Sequence, residues 1–170
     1  MDRAIAGSRR VANSARLIPS DELGDPALGA LQRYWEAKRG RFDIPVRADI
    51  DPIHFPRLLP NVFMVRVKRD PLSFVYSLVG GENVEAHGHN FTGMEVRELD
   101  GIWPGYGSSM SRFYSHVVQC RKAVSASGTM DFVDREYRVF EAIYLPLAAP
   151  DGAVGHILGA ALYSSVQEVA

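Results

Sequence analysis

The chain has a single cysteine, no excess of charge of either sign and no long apolar run, and each scarcity excludes a class of function. Cys120 alone cannot form an internal disulfide or a cysteine-based zinc cluster, and it fits a reducing compartment, so the expected location is cytoplasmic. With 19 Lys and Arg against 20 Asp and Glu, no net field is available to hold a phosphate backbone or an anionic bilayer. Neither nucleic acid nor membrane is expected as a partner. No apolar stretch approaches the roughly 20 residues that span a bilayer, and the start lacks the apolar run of a leader. A Gly-x-Gly-x-x-Gly or Walker loop is missing, which leaves nucleotide chemistry without a cradle. There is no Gly-x-Ser-x-Gly elbow, and Cys120 sits beside Arg121 and Lys122 without a neighbouring base, so acyl transfer has no nucleophile. No catalytic residue is assigned, and the chain is read as a non-enzyme.

What is present is enough for one core: 170 residues, 46% of them hydrophobic. Residues 1–23 carry Arg3, Arg9, Arg10 and Arg16 among Ala and Ser without apolar periodicity, and are expected to form a flexible tail ahead of a single domain at 24–168. Asp25-Pro26 is a helix start, because the Asp side chain caps free N–H groups and Pro suits the first helical position. The helix is expected over 26–39, with Leu28, Leu31 and Trp35 as its apolar stripe. Such a narrow stripe either meets a second copy, giving a homodimer, or folds back over the chain's own sheet.

Pro45, Pro52, Pro56 and Pro60 then impose an extended, turn-rich connection. Val62 to Lys68 and Ser73 to Val79 are rich in branched and aromatic residues and read as a hairpin turning at Asp70-Pro71. A short helix broken at Gly88 follows, then a helical piece within 92–99. A longer helix starts at Ser108 or Ser109, with Met110, Phe113, Val117 and Val124 on one face and Tyr114 and Val118 beside it. Strands at 129–133, 137–147 and 154–163 complete the chain, the last two turning at Asp151-Gly152. Gly155 and Gly159 share a strand face, where a missing side chain admits close packing or a ligand.

Two strands, short helices, one long helix and three strands make an α+β order. This order, together with Arg47-Ala48-Asp49-Ile50-Asp51-Pro52, Pro56-Arg57-Leu58-Leu59-Pro60, Tyr76-Ser77-Leu78-Val79-Gly80, Thr92-Gly93, Leu145-Pro146-Leu147 and Leu158-Gly159-Ala160, resembles a family of small stand-alone bacterial PAS-type sensory domains. The resemblance implies a five-stranded antiparallel sheet in spatial order 2-1-5-4-3, helices on one face, an N-terminal flanking helix, and often a small cavity between sheet and helices. It names no cofactor.

Candidate pocket residues are aromatic side chains, several of them with polar tips, together with one histidine: Tyr76, His87, Phe91, Trp103, Phe113, Tyr114 and Tyr144. The competing signal is His87-Gly88-His89 with Glu95, which resembles a cupin metal motif and suits a divalent metal. The last ligand lies one residue too far along, and on a strand that shift turns a side chain to the opposite face. No metal site is therefore assigned. His116, on the long helix, is read as a surface residue. Three functions follow: a stand-alone sensory module that binds a small ligand or a signalling partner without catalysis, a pure dimerisation module, and a cupin-like metalloenzyme. The first is preferred.

Overall fold

A computed structural model describes residues 15–166. Its centre is one antiparallel sheet of six strands: β1 (Ala15–Ile18), β2 (Val62–Lys68), β3 (Ser73–Val79), β4 (Val124–Met130), β5 (Arg135–Ala148) and β6 (Val154–Ser165), in the spatial order β1-β4-β5-β6-β2-β3. The five strands after β1 stand in the expected order. The sixth is an addition at the edge, where Ala15 pairs with Gly128 and Ile18 with Ser125. A tail running unbroken to residue 23 is thereby corrected, since residues 15–18 are strand and Ser20–Glu22 form a 3-10 turn. The remaining tail arginines, Arg3, Arg9 and Arg10, lie outside the described residues.

Three helices accompany the sheet among the described residues: α1 (Pro26–Ala37), α2 (Gly81–His87) and α3 (Tyr106–Cys120). Asp25 caps α1 as its sequence requires, accepting from the Ala27 N–H at 2.8 Å. Leu28, Leu31 and Trp35 are almost fully buried within the chain, and the Trp35 indole N–H donates to the Pro146 carbonyl on β5 at 2.9 Å. The stripe is covered by the chain's own sheet, the second of the two arrangements expected for it.

The side that α1 covers follows from strand alternation. Phe140 and Tyr144 face α3, whereas Glu141 between them accepts from the N–H groups of Gly24 and Asp25 at the start of α1. Thus α1 and the turns at 47–55, where Asp51 and His54 meet the Tyr34 hydroxyl, lie on one face, and α2 and α3 on the other. The result has three layers, with β5 and β6 buried on both sides.

The long helix begins at Tyr106, two or three residues earlier than expected, and ends at Cys120, so Val124 belongs to β4. Its buried line is Tyr106, Gly107, Ser111, Tyr114 and Val117, with Phe113 and Met110 only half-buried. The rotation from the expected face has a local cause: Gly107 lies so close to the 3-10 turn Val96–Gly101 that a Cβ there would collide with the Val96 carbonyl. Asp100 fixes this approach, accepting from the Ser108 N–H at 3.0 Å and from its hydroxyl. The strand expected at 129–133 begins at Val124 and gives way to a 3-10 turn at Asp131–Val133. No helix among the described residues is long and apolar enough to cross a membrane.

Candidate functional site

Between the sheet and helices α2 and α3 lies a cavity of about 230 Å³. Strand alternation supplies its floor. Phe63 on β2, Tyr76 on β3, Phe140 and Tyr144 on β5, and Ala161 and Tyr163 on β6 all point to the helix side. Ala161 stands opposite Ala142, so two small side chains leave the space that larger ones would fill. At Gly159 a side chain would run into the Phe63 ring, so this glycine lets Phe63 lie flat against β6.

The roof comes from α2 and α3. Helix α2 ends at Gly88, which adopts φ 72° and so terminates the helix in the left-handed region. That stop leaves His87 at the end of α2, buried and turned inward. Its Nδ1 lies 2.7 Å from the Asn83 carbonyl oxygen, which can only accept, so Nδ1 carries the proton and Nε2 is the acceptor facing the Tyr106 hydroxyl at 3.4 Å. Burial among Phe91, Trp103, Tyr106, Phe132 and Tyr163 lowers the imidazole to about 4, with the positive charge of Arg135 acting in the same direction and the Asn83 bond opposing both. His87 is neutral at pH 7.

Asn83 ties the roof to the floor. Its Nδ2 donates to the Val62 carbonyl at 3.1 Å, and its Oδ1 accepts from the Tyr163 hydroxyl at 2.6 Å. Tyr76 and Tyr114 share one hydrogen bond of 2.9 Å, and Tyr144 packs its ring against Phe63, Phe113 and Tyr114. Burial pushes all these tyrosines above their ordinary values, so none ionises near neutrality. The lining is aromatic, uncharged in depth, and ringed with hydroxyls.

Of the seven candidate residues, Tyr76, His87, Phe91, Phe113, Tyr114 and Tyr144 line this cavity together. Trp103 stands one layer behind, its ring 5.8 Å from that of His87 and 5.7 Å from that of Tyr106. Sequence reasoning passed over Asn83, Tyr106, Phe140 and Tyr163. Alternation from Tyr144 would have reached Phe140, and register across to β6 would have reached Tyr163. The metal alternative loses its geometry. His87 ends a helix, exposed His89 follows the left-handed Gly88, and Glu95 caps the 3-10 turn Val96–Gly101. Among the described residues no three His, Cys, Asp or Glu side chains gather as a metal site. His116 is exposed on α3, and Cys120 is partly buried at its far end.

Sheet order, helix placement and the cavity between them define an α+β domain with one face given over to an internal space. The chain is a member of the PAS domain family, whose model matches residues 24–162. No curated protein sequence matches it. Among solved structures it is similar to the PAS domain of Bordetella pertussis BvgS, at 19% identity and a TM-score of 0.50 over 71% of this chain and 92% of that one. It is also similar to an RNA-binding light-oxygen-voltage receptor, at 18% identity and a TM-score of 0.44, covering 91% of this chain but spanning only 37% of that one. A third is the N-terminal domain of a diguanylate cyclase with a PAS/PAC sensor from Marinobacter aquaeolei, at 12% identity and a TM-score of 0.45, over 63% of this chain and 98% of that one.

Proposed function

We propose that the domain senses a small molecule held in the cavity between its sheet and helices α2 and α3, and passes the signal to a protein partner without chemistry of its own. The observation that carries this reading is the cavity itself. A well-packed core leaves few voids larger than a water molecule, and here about 230 Å³ is open beneath Phe113 and Met110. The non-catalytic part rests on the state of the polar groups. His87 is neutral with one nitrogen committed to Asn83, and the tyrosine hydroxyls are held above the range in which they exchange protons at pH 7.

Native mass spectrometry of freshly purified chain tests the reading, alongside Ala126→Phe, which places a ring inside the cavity. The expected result is a bound small molecule on the native chain and its loss from the folded variant. Equal ligand content in both proteins would place the binding elsewhere and overturn the proposal.

A further inference from the structure

The hydroxyls that line the cavity are not equivalent. Tyr163 donates to Asn83, and the Tyr106 hydroxyl faces His87 Nε2, so the donors at the α2 end have acceptors within the protein. At the other end they do not. Tyr76 and Tyr114 share a single hydrogen bond between two hydroxyls, which uses one proton and leaves the second without an acceptor among the described residues. The Tyr144 ring stands 6.1 Å from that of Tyr114, and its hydroxyl has no hydrogen-bond partner among the described residues. Two phenolic donors are therefore free at one end of an otherwise aromatic space.

A molecule that fits must answer both features. Two O–H donors call for an oxygen with two accessible lone pairs, which a carbonyl has. Edge and face contacts from Phe63, Phe91 and Phe113 favour a flat ring. A cavity of about 150 Å³ takes benzene, so about 230 Å³ accommodates one substituted ring. Charge is disfavoured, because the deep lining offers no cation and a buried unpaired anion is costly; Arg16, the charged residue at the margin, is exposed on edge strand β1.

Resting on the reading that this cavity holds the ligand, we propose that it selects a neutral single-ring aromatic carbonyl compound whose oxygen accepts from Tyr144 and from the Tyr76–Tyr114 pair. Three probes of similar size separate the elements of the proposal: acetophenone carries ring and carbonyl, ethylbenzene the ring alone, and benzoate the ring with a charge. Each is titrated into the full chain, followed by backbone amide NMR shifts, with native mass spectrometry establishing first that the cavity is empty. Acetophenone is expected to bind about tenfold more tightly than ethylbenzene, and benzoate more weakly than acetophenone. Tyr144→Phe keeps the ring, and is expected to weaken acetophenone about five- to tenfold while leaving ethylbenzene unchanged, which also reports that the variant is folded. Tyr76→Phe leaves the Tyr114 proton free to donate, so it is expected to weaken acetophenone less than Tyr144→Phe does.

Equal affinity for acetophenone and ethylbenzene, or preference for benzoate, overturns the carbonyl assignment and leaves the cavity as a binding site. Binding of none of the three to an empty cavity overturns the assignment and the sensory reading together. Where the purified chain carries a native molecule instead, that molecule is identified by mass and fragmentation. A neutral aromatic carbonyl compound supports the proposal, and a ligand lacking either the ring or the carbonyl overturns it.

Discussion

Acid should weaken this fold through His87, and His87→Gln should remove much of that sensitivity. The imidazole sits among five aromatic rings with Nδ1 donating to Asn83, and burial lowers it from 6.5 to about 4. In the unfolded chain it takes up a proton near 6.5; in the folded chain it resists until about 4. The unfolded state thus binds more protons between these values. Stability that is present above pH 6.5 is lost as pH falls through this window, and below about 4 no further loss comes from this group. The gap between 6.5 and about 4, at roughly 1.36 kcal/mol for each tenfold change, corresponds to about 3 kcal/mol in full. About 2 kcal/mol of it falls between pH 7 and pH 5.

The assay is urea unfolding at pH 7 and pH 5 for both proteins. His156, also lowered by burial and by Arg47 and Arg66, contributes loss of the same sign in both, so the comparison isolates His87. The variant is expected to start less stable at pH 7, because Asn83 and the aromatic ring lose a fitted partner, yet to lose about 2 kcal/mol less than the native chain on moving to pH 5. Equal losses in the two proteins would refute the placement of His87 as a buried neutral group.

Trp35→Phe keeps an aromatic ring at this buried position but strands the buried Pro146 carbonyl, and should cost about 1–3 kcal/mol in chemical unfolding. A cost below about 0.5 kcal/mol would show that the indole bond is not formed. Phe113→Ala should cost about 2 kcal/mol, short of the roughly 3–5 kcal/mol of a fully buried Phe, because the ring is half-buried at the cavity margin against Tyr144 at 4.5 Å. A value at or above about 4 kcal/mol would restore Phe113 to the centre of the helix face. Strand β1 is short, pairs with one neighbour and leaves Leu17 56% exposed, so its amides should exchange fastest within the sheet and slow when the cavity fills. Exchange at Ala15–Ile18 that is insensitive to a bound ligand would separate this strand from the site.

The strands that proved easiest to read are those whose burial is enforced on both faces. In β5 the run from Phe140 to Ala148 is buried almost without a break, and its apolar sequence says so directly. Strand β1 shows the opposite case. Ala15-Arg16-Leu17-Ile18 has no alternation long enough to register, and its conformation is set by pairing with β4, an interaction more than a hundred residues away. Helix α3 was legible as a helix but not in its rotation. Hydrophobicity favours Met110 and Phe113, whereas the closest approach is made by Gly107 and Ser111, and small residues that mark contact by their size add nothing to an apolar count.

The site divides along the same line. Aromatic residues announce themselves as a group, since strand alternation and helical spacing bring Tyr76, Tyr144, Phe113 and Tyr114 toward one interior. Asn83 does not. A polar residue one turn into a short helix reads as solvated, and only the arrival of the Val62 carbonyl from β2 and the Tyr163 hydroxyl from β6 makes burial tolerable. The same holds for the distinction between occupied and free hydroxyls. Five tyrosines look alike in sequence, yet Tyr163 is tied to Asn83 whereas Tyr144 keeps both its donor and its acceptor for the cavity. That difference arises from which strands lie side by side rather than from any word in the chain.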